Sequence, residues 1–118
     1  MNVRRADVVL VDFPFPAGSG SKVRPALVVQ NDTDNARLPN TIIVQITGNV
    51  HRTQIATQVL IRVTTPEGHK SGLQFDSSVN CINVVTVDNS LILRKLGELP
   101  DSLMQKVDDA LKAALQLK

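Results

Sequence analysis

The sequence predicts a mainly β fold, a small barrel or sandwich, with one amphipathic helix at the carboxyl end. Three observations carry this expectation. Short runs rich in Val, Ile and Thr recur along the chain, and Gly, Pro, Asn, Asp and Ser punctuate them. The runs are evenly spaced, as in small all-β architectures. Over residues 100–118 the apolar period changes from strand-like to helical.

In order, the strands are expected at "DVVLVDF" (7–13), "ALVVQ" (26–30), "TIIVQI" (41–46), "TQVLIRV" (57–63) and "CINVVTV" (81–87). The first two are separated by "PFPAGSGSKVRP" (14–25), whose three prolines and two glycines exclude helix and predict a long, irregular connection. Further irregular stretches follow the third and fourth strands, "TGNVHRTQ" (47–54) and "TTPEGHKSG" (64–72). In the last segment Leu103, Val107, Leu111, Ala114 and Leu115 recur at helical spacing. Asp101 stands near the start, where the helix dipole favours negative charge. No internal repeat interrupts the pattern, so residues 1–118 are expected to form a single domain.

Composition narrows the class. A chain of 118 residues with 42% hydrophobic content can bury a core of its own. No apolar run reaches the roughly 20 residues that span a bilayer, and the first residues lack the features of a secretory leader, so a cytoplasmic protein without membrane attachment is expected. Cys81 is the only cysteine and reads as a small buried hydrophobe. With no CxxC and no His/Cys cluster, neither metal nor cofactor is expected. The formal net charge is only +2, but it is unevenly placed: residues 1–75 hold eight basic and five acidic side chains, and the remainder five and six. Lys22, Arg24, Arg37, Arg52 and Lys70 fall at expected strand ends or loops, where basic groups can meet phosphate or simply be solvated.

Arg24 is the most informative of these. Pro25 fixes its own backbone angle and biases Arg24 to an extended conformation, which sets the guanidinium at the mouth of a strand. Its planar fork of donors suits phosphate oxygens. The residues alone leave a second reading open, a salt bridge to Asp12 or Asp32. Thr47 places a hydroxyl at the end of another strand, where on its own it reads as a turn residue.

Taken together, Arg24-Pro25 opening an apolar strand and Ile46-Thr47 closing a later one resemble the MazF/PemK (Kid) family of toxins from bacterial type II toxin–antitoxin pairs. The resemblance extends through "DVVLVDFPF" (7–15), "RPALVVQND" (24–32), "TIIVQIT" (41–47), "GLQFDSSV" (72–79), "TVD" (86–88) and "LGELPDSLMQKVDDAL" (96–111). It implies an SH3-like barrel with a C-terminal helix, a homodimer, and a metal-independent, sequence-specific endoribonuclease that cuts single-stranded RNA. It implies a small cognate antitoxin as partner, a cytoplasmic location, and Arg24 and Thr47 as the active-site pair.

The chemistry suits those residue types. The substrate's own 2′-hydroxyl is the nucleophile, and the resemblance implies a 2′,3′-cyclic phosphate and a 5′-hydroxyl as products. Arg24 can then neutralise charge building on the phosphoryl oxygens, while Thr47 orients the phosphate. Lys22 and Arg52 are candidate backbone contacts. His51 is the nearest candidate for proton transfer, and Phe15, flanked by prolines, is a candidate stacking surface.

The sequence departs from the family pattern at two points. Where some members have a histidine before the Arg-Pro, this chain offers Ser19 or Ser21. Where others have an acid and an arginine before the "TID" element, this chain reads "NCINVV" with Asn80, Ile82 and Val85. The competing expectations are a catalytically silent barrel and one that inhibits by binding a protein, as CcdB-type toxins inhibit gyrase. The latter depend on a C-terminal tryptophan, and this chain has none.

Overall fold

The computed structural model describes residues 2–14, 21–51 and 55–118. Strands β1 (Asp7–Pro14), β2 (Ser21–Val28), β3 (Asn40–Thr47), β4 (Gln58–Ile61), β5 (Ser77–Asp88) and β6 (Ile92–Glu98) form one antiparallel sheet in the order β4-β5-β3-β2-β1-β6. Helices α1 (Asp32–Arg37), α2 (Pro66–His69) and α3 (Asp101–Leu115) complete the described elements.

The central strands are buried on both faces. Val8, Leu27, Val44 and Ile46 pack with Val59, Ile61, Val79 and Cys81 beneath α3, which contributes Leu103, Met104, Val107 and Ala110. Val9, Val11, Ala26, Val28 and Ile43 point the other way, into a second cluster with Val3, Val87 and Ile92. Because side chains alternate with a period of two, these two cores lock the register of β1, β2 and β3. Each fully buried Val, Leu or Ile contributes roughly 1.5–3 kcal/mol relative to exposure. Burial pushes the Cys81 thiol up to about 11, as an enclosed, apolar site does to a thiolate.

Several expectations are corrected. The connection after β1 is shorter than "PFPAGSGSKVRP" suggested, because residues 21–25 already belong to β2, with Lys22 opposite Phe13 and Ser21 opposite Pro14. Pro25 is tolerated there because the β2–β3 ladder begins only at Ala26 opposite Gln45. The sequence reading missed β6: "ILRKLGE" carries three charged side chains in seven residues, as expected of an exposed edge strand. It also missed α1, which Asn31 caps by accepting from the Asp34 N–H at 2.9 Å. Asp108 pairs with Arg5. The same arginine donates to the Val29 carbonyl at 3.0 Å, and its backbone N–H donates to Asp32 at 2.7 Å, so one residue links α3, the end of β2 and α1.

Strand pairing leaves the barrel open between β4 and β6. The gap is bridged by the segment after α2, where the Glu98 N–H donates to the Lys70 carbonyl at 3.0 Å. Two glycines permit this approach. A Cβ on Gly97 would lie 2.3 Å from the Lys70 oxygen, and Gly72, at φ +72°, would place one 2.0 Å from the Leu96 oxygen. Both neighbours are backbone and cannot rotate away. Gly97→Ala is therefore expected to cost more than about 2 kcal/mol, read as a fall in the urea midpoint at constant slope.

Hydrogen bonds from the Arg5 backbone and then from Asn35 hold the Asp32 carboxyl below its ordinary value of 3.8. A depressed carboxyl stabilises the fold above that ordinary value, and the contribution fades as pH falls through the lower folded-state value. Asp32→Asn should accordingly lose less stability than the parent between pH 4 and pH 2, measured by urea midpoints across that range.

Candidate functional site

β2 and β3 bring Arg24 and Thr47 to one end of the sheet. Their ladder runs Val28–Ile43, Leu27–Val44, Ala26–Gln45 and then stops. Arg24 and Thr47 occupy the positions two residues further along the same register: Thr47 closes β3, whereas Arg24 lies within β2, beyond the end of the β2–β3 ladder and not at the mouth of its strand as expected from Pro25. Across β1, Arg24 lies opposite Val11 and Pro25 opposite Leu10. Neither acid considered as a partner for Arg24 holds it. Asp32 is taken by Arg5 and Asn35, and the buried Asp12 Oδ1 has no hydrogen-bond partner among the described residues. The ion pairs among the described residues do not include Arg24. Its charged fork, just past the end of the β2–β3 ladder, is thus not engaged in an ion pair among the described residues.

Two depressions flank the end of β3. One, of about 500 Å³, holds Arg24 and Arg94 between apolar walls that include Leu10, Ile46 and Leu96. Arg94 comes from β6, opposite Leu10 on β1. At the rim Phe75 is 65% exposed, and its ring stands against Gly48, where a Cβ would come within 3.4 Å of it. An exposed aromatic beside two guanidinium groups is suited to a stacked base and its phosphate.

The second depression, of about 310 Å³, is uncharged. Gln45, Thr47, Asn49, Gln58, Asn80 and Ile82 line it. Thr47 Oγ1 accepts from the Asn49 N–H at 3.2 Å, an arrangement that fixes the side chain and leaves its own proton to donate. Gln58 Nε2 donates to Asn80 Oδ1 at 2.7 Å, and Ser78 Oγ to Gln58 Oε1 at 3.0 Å. Arg24 and Thr47 therefore line neighbouring depressions, with the Thr47–Gly48 and Ser77–Ser78 backbone between them.

The other expected residues fall unevenly. Lys22 is exposed on β2. His51 is exposed, its backbone N–H donates to Asn49 Oδ1 at 3.1 Å, and it lines neither depression. Phe15 and Arg52 lie outside the described residues. Asp76, read from sequence as a capping or turn residue, accepts from the Val63 N–H at 2.9 Å. Arg94, Phe75, Gln45, Gln58 and Asn80 were not identified as site residues from sequence. Their only signal there was the amide at Asn80 in place of the family's acid, and Arg94 lay on the strand that the sequence reading missed.

The chain has clear relatives among known proteins. The model of the family described as the PemK-like, MazF-like toxin of type II toxin–antitoxin systems matches residues 4–115. Endoribonuclease EndoA of Bacillus subtilis (strain 168) is 33% identical over 118 residues, spanning 99% of this chain and 97% of that protein. Among solved structures, a mycobacterial endoribonuclease in complex with its cognate antitoxin aligns with a TM-score of 0.76 at 27% identity, covering 98% of this chain and 97% of its own. A MazE–MazF structure (Form-III) from Deinococcus radiodurans gives a TM-score of 0.74 at 20% identity over 100% of both chains, a likeness of fold. With the family match and the 33% identity each spanning nearly the whole chain, this protein belongs to the PemK-like, MazF-like toxin family of type II toxin–antitoxin systems.

Proposed function

We propose that this chain is a cytoplasmic toxin that cuts single-stranded RNA at specific sequences without a metal ion, acts as a homodimer, and is held in check by a cognate antitoxin. The observation that carries the reading is Arg24: a guanidinium with no ion-pair partner among the described residues, held within β2 just past the end of the β2–β3 ladder, in a depression shared with Arg94 and with Gly48 beside Thr47. The names of the relatives, endoribonucleases and a toxin with its antitoxin, point the same way. Apolar side chains left exposed on β5 and β6, Val84, Val85 and Leu93, offer surface for a second copy.

The reaction follows from the groups in place. The 2′-oxygen attacks the adjacent phosphorus, the O2′–P bond forms, and the P–O5′ bond breaks in line with it. The product ends are a 2′,3′-cyclic phosphate and a 5′-hydroxyl, with the 2′ proton lost to solvent and one regained by the 5′-oxygen. Arg24 stabilises charge that develops on the non-bridging oxygens, and Arg94 neutralises an adjoining phosphate. The Thr47 hydroxyl donates to a phosphate oxygen and helps set the in-line angle. Base edges are free to be read, and the backbone free to adopt the in-line geometry, only in unpaired RNA, so the substrate is single-stranded.

Removing one preorganised donor to a developing oxyanion typically costs about 10²- to 10³-fold in rate, so Arg24→Ala should slow cleavage by that factor in EDTA, measured on mixed-sequence RNA with the cut ends mapped. An unchanged rate removes Arg24 from the mechanism.

Among the described residues, neither depression is lined by an imidazole or a carboxylate. The logarithm of the cleavage rate should therefore climb steadily with pH, by about one unit per pH unit from pH 6 to 9, as attack by the 2′-oxyanion requires. A plateau within that range would instead bring a general base into the mechanism.

A further inference from the structure

We infer that the uncharged depression beside Thr47 is a base-reading pocket that presents hydrogen-bond donors, accepts an unpaired base bearing an exocyclic carbonyl, and rejects adenine. The inference rests on the reading of the chain as RNA-directed and deepens it to one nucleotide position.

The argument is an inventory of the amide atoms. Asn80 Oδ1 is occupied twice, by Gln58 Nε2 at 2.7 Å and by the Ile82 backbone N–H at 3.2 Å. Asn49 Oδ1 accepts from the His51 backbone N–H at 3.1 Å. Gln58 Oε1 takes the Ser78 hydroxyl at 3.0 Å, and Gln45 Oε1 takes Asn83 Nδ2 at 2.5 Å. The two backbone donors fix which way Asn80 and Asn49 face, and Asn80 in turn fixes Gln58.

Each carbonyl oxygen in the lining amides thus already accepts at least one internal hydrogen bond, and that of Asn80 accepts two. What faces the cavity is the other half of each group: Asn80 Nδ2, Gln45 Nε2 and Asn49 Nδ2 have no hydrogen-bond partner among the described residues, and the Thr47 hydroxyl keeps its proton. Asn80 Nδ2 and Gln45 Nε2 are not buried without a partner, and Asn49 is an exposed residue, so these donors are open to a ligand.

A surface whose donors are free and whose acceptors are already engaged favours a ligand rich in acceptors. Uracil, cytosine and guanine each carry at least one exocyclic carbonyl, uracil two. Adenine carries an amino group in its place and would set donor against donor. Ile82, 59% exposed at the edge of the cavity, supplies an apolar face for the ring. Among the described residues no ionisable side chain lines the cavity, so the preference they set should not change with pH. The neighbouring arginine depression handles phosphate, and the amide depression handles the base.

Asn80→Asp is the informative change, because it keeps the Oδ1 acceptor that Ile82 and Gln58 use and replaces only the donor facing the cavity. Cut sites would be sequenced from random RNA treated with the parent, Asn80→Asp and Asn80→Ala. Binding of 2′-deoxy hexanucleotides, which lack the nucleophile, would be measured in parallel with uracil or adenine at each position. One position near the cut is expected to exclude adenine by about tenfold in the parent. That exclusion should disappear in Asn80→Ala and reverse toward adenine in Asn80→Asp. A parent that tolerates adenine everywhere, or a cut-site motif unchanged in both variants, overturns the inference while leaving the ribonuclease reading intact. Deoxy-oligonucleotide binding with the expected preference but no RNA cleavage leaves the pocket standing and removes the enzyme. Absence of both cleavage and binding removes both.

Discussion

β1, β2 and β3 send alternate side chains into two separate cores, and this double burial is the constraint on which the remaining geometry hangs. Val8, Leu27 and Val44 belong to the core under α3, whereas Val9, Ala26 and Ile43 belong to the other. A slip of one residue would exchange the contents of the two cores, and neither could accommodate the other's shape. The register of β2 on β3 is therefore among the least adjustable features of the molecule. Arg24 and Thr47 are carried just beyond the end of the ladder that joins those two strands. Their relative position is set by apolar packing several residues away, and no contact between their own side chains is needed to hold it.

This arrangement frees the functional side chains from structural duties. Elsewhere the protein uses its charges locally: Arg5 joins α3 to α1, Lys95 bridges the buried Asp7 and Glu98, and Arg37 sits on Asp34. Partly exposed pairs of this kind contribute at most about 1 kcal/mol each, so their role is to direct the chain more than to stabilise it. Arg24 stands apart, with its two plausible carboxylate partners engaged or turned elsewhere. A site assembled from strand margins on a doubly packed sheet needs no rearrangement to present its donors, which is the condition for electrostatic stabilisation to lower a barrier.

How much of this was legible in the sequence depended on the kind of signal each residue leaves. Strands with a β-branched alternation, such as "DVVLVDF" and "TIIVQIT", declare themselves, as does the period of α3. Arg24 was visible because Pro25 restricts it, and Thr47 because it ends an apolar run. β6 was not visible, since an edge strand with "RK" at its centre lacks apolar alternation, and Arg94 was lost with it. The amide pocket was not visible for another reason. Gln45, Gln58 and Asn80 lie on three strands brought side by side only by the register of β5, which shifts between Val44 and Gln45 on its partner. Side chains such as these look like ordinary solvent-facing residues until the sheet gathers them.

The chemistry available to the site follows from what the two linings contain. Arginine stays protonated across the working range and cannot act as a base at neutral pH, and amides transfer no protons. A general base is worth about 10²- to 10⁴-fold in typical enzymes, and the linings hold no group to supply it. What they do contain is charge for the phosphate, a hydroxyl for its orientation, and oriented amides for the base. Rate enhancement here must come from holding the nucleophile in line and neutralising the developing charge, contributions that together can exceed the missing one. In such a design the base pocket has a part in catalysis as well as in selection. The binding energy of the correct nucleotide is what holds its neighbour's 2′-oxygen against the phosphorus, and a misfit base lets that alignment go.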